Sequence, residues 1–348
     1  MIDPALNRRE ATGALVAAFA GTLAGALALP RAAQAARAAP DVIVAVENWS
    51  FNGARGRRII TPNFRLHTTT LDSDLLTRVP IFLELALTRY RTAFGDLPAP
   101  QGQLETYLMG TRSQWEAITR QLVGNQAQIY LRVERGGFAA GGKGVYYDIG
   151  DDDTVSIAAH EGWHQYTQSV FKDPLPIWLE EGIASWMEGF RFARHDANLP
   201  VFSPWANTSR HRDLVTAFTS RQFLPIAELF SRRPQDLLAT DRSRALSYYA
   251  QGWALVHFLH EGEGGKYRQP LHAMLQDAAA GRLRAKLEQT VGRREASIAM
   301  RFRVGPGAAL AYLSSDLDAM ETEYKRFLAR AIRPGSRDKV RRGQSPVP

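Results

Sequence analysis

The chain has 348 residues, 45% hydrophobic and 22% charged, a composition that supports a packed core and excludes a disordered or fibrous protein. It contains no cysteine, which excludes disulfides and a cysteine-linked lipid anchor and leaves stability outside the cytoplasm to the core and any bound metal. Lys and Arg number 43 against 35 Asp and Glu, giving a net charge of +8; no nucleic-acid motif accompanies that excess, so it points to acidic surroundings such as a polyanionic envelope.

The first 35 residues read as an export signal. Asn7-Arg8-Arg9-Glu10 precedes an uncharged Ala- and Gly-rich stretch from Ala11 to Leu29, and Ala33-Gln34-Ala35 follows as a small-x-small cleavage site. The paired arginines have the look of a twin-arginine signal, but Ala11 and Thr12 stand where its usual Phe-Leu pair would be, so the ordinary secretory route stays open. Cleavage removes three Arg and two acids, leaving 313 residues with a net charge of +7, exported to the periplasm or beyond the cell and with no stable membrane span.

Residues 36–154 alternate strands and helices. Ile59, Ile60, Phe64 and Leu66 predict a strand within Arg58 to Thr70; Leu75, Leu76, Val79, Phe82, Leu83, Ala86 and Tyr90 have helical spacing across 71–94, with Pro80 kinking the helix or marking its start. A strand over 103–109, a helix over 113–122 begun near Thr111, and a strand over 144–149 complete this part.

A helix is expected next. Asp151-Asp152-Asp153-Thr154 offers N-cap residues, and Val155, Ile157, Ala158 and Ala159 supply its buried first turns. His160-Glu161-Gly162-Trp163-His164 then sets two imidazoles one turn apart on one face. Both rings can grip one Zn²⁺, and Glu161 can take a proton from a water bound to it. A catalytic zinc needs a third protein ligand. Residues 175–188 supply candidates: Ile177, Leu179, Ile183, Ala184, Trp186 and Met187 suit a buried helix, yet Glu180 and Glu181 sit in its first turns, and a buried carboxylate normally has a partner. Pro174 and Pro176 turn the chain so that this helix returns antiparallel and brings one of the two glutamates to the histidines. A third His six residues beyond His164, as metzincins require, is absent, because that position is Val170.

His-Glu-x-x-His followed by Trp178-Leu179-Glu180-Glu181-Gly182-Ile183-Ala184-Ser185-Trp186 resembles the gluzincin metallopeptidases, in their aminopeptidase-like branch and related bacterial families of uncharacterised substrate. The resemblance implies His160, His164 and Glu181 as zinc ligands and Glu161 as general base. It departs in its loop: 16 residues separate His164 from Glu181, two fewer than the aminopeptidase pattern. A second match, Tyr249-Ala250-Gln251-Gly252-Trp253-Ala254-Leu255, resembles the helix whose first Tyr stabilises the oxyanion, which implies that role for Tyr249, with Tyr248 the alternative. Glu188, two turns beyond Glu181, can accept the second N–H of a ligand histidine.

The implied architecture is α+β: a thermolysin-like mixed lobe (36–154) with the metal helix at the cleft, then a mainly helical lobe (155–332). An edge strand over Gly142 to Asp148 would align the substrate backbone, and the glycines at 136, 137, 141, 142 and 144 either let it approach closely or form a flexible loop. The Gly-x-Met-Glu-Asn signature that holds a free amino terminus is absent, so amino-terminal exopeptidase activity is not implied. The expected function is an exported zinc metallopeptidase acting on a peptide or protein through a zinc-activated water. The alternatives are a zinc hydrolase of a cell-envelope amide and a non-catalytic binding protein on the same fold. His257 and His260 share a helix face and read as structural, His195 and His211 fall in a stretch without clear pattern, and the basic residues 333–348 are expected to be disordered.

Overall fold

The computed structural model describes residues 39–133 and 136–347; the expected export signal lies outside them. The first half contains β1 (Ala45–Phe51), β2 (Ala54–Ile60), β3 (Phe64–Thr68), α1 (Ser73–Thr92), β4 (Leu104–Met109), α2 (Arg112–Val123), α3 (Ala127–Tyr130), β5 (Gly137–Ala140) and β6 (Lys143–Tyr147). The second contains α4 (Asp151–Val170), α5 (Ile177–Met187), β7 (Phe190–Ala193), β8 (Asp196–Phe202) and α6 (Thr208–Thr219). There follow α7 (Ile226–Ser231), α8 (Pro234–Thr240), α9 (Arg242–Glu261), α10 (Arg268–Ala280), α11 (Leu283–Val291), α12 (Arg293–Phe302), α13 (Gly307–Tyr312), α14 (Leu317–Ala331) and α15 (Ser336–Arg341).

One mixed sheet runs in the order β1-β2-β3-β4-β6-β5. Neighbours are antiparallel except β3/β4 and β4/β6, which are parallel. Asn52 and Gly53, both at positive φ, make the two-residue turn of the β1–β2 hairpin. The single strand expected over 58–70 is broken at Thr61-Pro62-Asn63, where Pro62 has no N–H to give. The Glu84 carboxylate holds that turn, accepting from Thr61 Oγ1 at 2.6 Å and Asn63 N at 2.7 Å. Pro80 lies inside α1, which starts earlier, at an Asp72 cap that accepts from Asp74 N and Leu75 N.

Period-two alternation divides the sheet's side chains between two cores. Leu66, Leu104, Leu108 and Tyr146 pack with α1 and α4, while Met109, Val145, Tyr147 and Phe138 pack with Trp115 and Ile118 of α2. The first core continues without interruption through α4 and α5 into α9, α10 and α14, so both expected lobes share one apolar interior.

Two expectations fail here. Residues 143–147 form an interior strand, since β4 and β5 flank it; the edge beside α4 is β5 instead. The basic tail is ordered as α15, because Val340 and Ser336 are buried while its charges point outward, and Ser336 Oγ lies 3.0 Å from His211 Nε2. The helical half also carries the β7–β8 hairpin, which accounts for the stretch around His195. Among the described residues no helix is long and apolar enough to cross a membrane.

Candidate metal centre

Helix α4, which carries His160 and His164, forms for local reasons. Asp151, Asp152 and Asp153 occupy its first turn, where carboxylates complement the helix dipole, and Thr154 Oγ1 accepts from Ile149 N at 3.0 Å. Gly162 is required by packing: a Cβ there would lie 2.5 Å from Tyr90 Oη, which donates to Ala159 O at 2.8 Å. Proline 176 ends the connection from α4, and α5 begins at Ile177.

The two helices bring three donors together. Glu181 Oε2 lies 3.3 Å from His160 Nε2 and 3.5 Å from His164 Nε2, and the three atoms all lie within 4.8 Å of one another. Each remaining imidazole nitrogen has its own carboxylate. His160 Nδ1 is 2.8 Å from Glu188 Oε1, and His164 Nδ1 is 3.0 Å from Glu180 Oε1. Of the two candidate glutamates, Glu181 faces both Nε2 atoms, whereas Glu180 stands behind one ring. Thr167 Oγ1, one turn beyond His164, also donates to Glu180 Oε1 at 2.6 Å.

Glu188 is fixed in turn. Arg210 donates to both its oxygens, at 2.7 and 3.1 Å, and Asn207 Nδ2 donates to Oε2 at 2.8 Å. Neither Arg210 nor Asn207 carries a signal in the sequence, since both come from α6 and its cap and meet the site only through the fold.

The charges follow from this crowding. Burial opposes a charge on His160, but its bonds to Glu181 and Glu188 outweigh burial and raise it to about 9. His164 is likewise raised well above its ordinary value against burial, by Glu181 and Glu180. Burial pushes Glu181 up, and the two histidines more than reverse this, holding it well below the usual carboxylate range. Glu188 is held low against burial by Arg210 and His160. Glu161 differs: burial raises it, and its carboxylate makes no hydrogen bond or ion pair to another described residue.

Tyr249 closes the other side, its ring 6.2 Å from that of His160 and covered by the Arg210 guanidinium at 5.0 Å. Burial and then Glu181 raise its phenol well above the ordinary value, so it stays a donor. Tyr248 is fully buried, and its hydroxyl has no partner among the described residues. Two glycines bring α5 and α9 this close. A Cβ on Gly182 would meet Gly252 O at 2.8 Å, so the residue after Glu181 and the third residue after Tyr249 touch backbone to backbone.

The donor set suits zinc. Ligands bonded at about 2.0–2.1 Å in a tetrahedron stand about 3.3–3.4 Å apart, near the two distances observed here. Both imidazoles also present their second nitrogen to a carboxylate, the usual support where such a ring binds a metal. Comparison of the chain with protein-family models, with curated proteins and with solved structures returned no match.

Proposed function

We propose that this protein is a zinc metallopeptidase of gluzincin type, with a thermolysin-like relation between the sheet, α4 and the helical half. The observation that carries this reading is the approach of Glu181 Oε2 to both Nε2 atoms, from a separate helix. His160, His164 and Glu181 would hold the ion, as their mutual spacing supports. Bound there, zinc supplies Lewis-acid chemistry, polarising a carbonyl and acidifying water.

The protein's own residues then divide the work. Glu161, adjacent to His160 and under the attraction of both histidines, accepts the proton of the attacking water and passes it to the leaving amine. Tyr249 donates to the oxyanion that develops on the scissile carbonyl. With the ion bound, Glu188 and Glu180 would each accept the Nδ1 proton of their histidine, leaving each Nε2 to the metal. The edge of β5 is the strand open to an extended peptide beside α4, and Gln168 caps part of it by donating to Ala139 O at 3.0 Å. Export of the enzyme rests on residues 1–35 alone.

Purified protein should contain about one equivalent of zinc and cleave casein or a peptide library in a chelator-sensitive way. Glu161→Gln should keep the zinc and lose turnover. Metal loss in that variant, or full activity, would overturn the assignment. Cleavage of muropeptides with none of unstructured polypeptides would move the substrate to an envelope amide.

A further inference from the structure

Each candidate ligand imidazole is backed by a carboxylate, and each carboxylate by an arginine. On the His160 side the series is Glu188 and Arg210, with hydrogen-bonding distances throughout. On the His164 side it is Glu180 and Arg303, whose Nη2 lies 3.6 Å from Glu180 Oε2 in an ion pair. Glu180 is only 5% exposed, and a carboxylate so placed is costly without a counter-charge.

Arg303 is anchored in more than one way. Its Nε donates to Leu175 O at 2.8 Å, and its own carbonyl accepts from Ile177 N at 2.8 Å. Ile177 is the first residue of α5, so that second bond satisfies one of the N–H groups a helix start leaves open. Arg303 also terminates α12 in the left-handed region, at φ 61° and ψ 26°. Glycine or asparagine fills such a position with less strain, so the backbone conformation alone does not call for arginine.

We infer that Arg303 is a positioning residue of the metal centre: through Glu180 it fixes the ring of His164, and through Leu175 and Ile177 it fixes the start of the helix that delivers Glu181. The inference rests on the zinc reading above and adds a residue that lies outside both motifs. Its contacts run to Glu180, Leu175 and Ile177, so it would act on the ion only through them.

The test is zinc affinity, measured on the full protein by competition with a chromophoric chelator, with circular dichroism and a melting curve to establish folding. Arg303→Asn suits the left-handed backbone and removes the guanidinium; Arg303→Lys keeps a charge, and serves should the first variant fail to fold. Glu180→Gln should weaken zinc binding by about 10–100-fold. Arg303→Asn should weaken it by roughly fivefold or more, with Lys recovering part of the loss, and the double variant should lose clearly less than the product of the two single losses, because both changes act on the ring of His164 while the bond to Leu175 is a separate contribution. A lower melting temperature with zinc affinity within about twofold of wild type would make Arg303 merely structural and overturn the inference, as would losses that add independently. Wild-type protein that takes up no zinc would instead sink the metal reading, and this inference with it.

Discussion

Tyr248 and Tyr249 are adjacent on α9 and face different surroundings. Tyr249 is partly exposed, lies against His160 and carries the Arg210 guanidinium on its ring. Its neighbour is sealed in the core, with a hydroxyl that has no partner among the described residues. The two substitutions to phenylalanine therefore separate. Tyr249→Phe should lower kcat by about 10²–10³-fold at unchanged zinc content, the usual loss for one oxyanion donor. Tyr248→Phe removes a buried hydroxyl that makes no hydrogen bond to a described residue and should leave turnover and melting temperature unchanged or slightly raised. Steady-state kinetics and calorimetry on both variants check this, and a turnover loss confined to Tyr248→Phe would reassign the role.

The crossing of α5 over α9 decides whether Glu181 and Tyr249 reach the same space, and it depends on one glycine more than the other. An added Cβ at Gly182 would sit 2.8 Å from the Gly252 carbonyl and 3.0 Å from Val256 Cγ2, whereas one at Gly252 would meet nothing nearer than 3.4 Å. Gly182→Ala should therefore destabilise by about 1–3 kcal/mol through overpacking, while Gly252→Ala should be neutral or gain from better helix propensity. Thermal melts of the pair test it, and equal effects would show that the crossing is not so tight. These elements also show what the sequence makes legible. The i, i+4 spacing of His160 and His164 is written into α4, and the Thr111 cap and the periodicity of α2 are read almost to the residue. The turn of the first hairpin carries its own sequence signal, Asn52-Gly53, outside the strands expected above. The position of β6 inside the sheet was not legible, because strand order is set by long-range pairing that leaves no local periodicity. Arg210, Asn207 and Arg303 escaped for the same reason: each approaches a carboxylate from an element distant in sequence.

At the scale of the whole molecule, one apolar interior joins the sheet, α4, α5 and the helical half, so changes at its far side bear on the stability of the residues around His160. The ordered end of the chain illustrates this: net basic composition predicts disorder, but Val340 inserts into the common core and Ser336 bonds His211. A group of histidines beyond Trp186 should make the molecule sensitive to acid. Burial, and then Arg268, lower His260 to about 4, while burial also lowers His257 and His272. In each case the folded state resists protonation more than the unfolded chain, whose histidines titrate near 6.5, so the unfolded chain binds more protons as the pH falls. Their contribution is thus fully present above about pH 6.5 and is lost progressively toward pH 4. Raised groups such as His160 act with the opposite sign, and acid also expels a bound metal, so the comparison must cancel both. Melting temperatures of wild type and His260→Gln, each with chelator present, should fall between pH 7 and pH 4.5, with the shallower fall in the variant. Parallel curves would place the acid sensitivity elsewhere, and a steeper fall in the variant would reverse the sign assigned to His260.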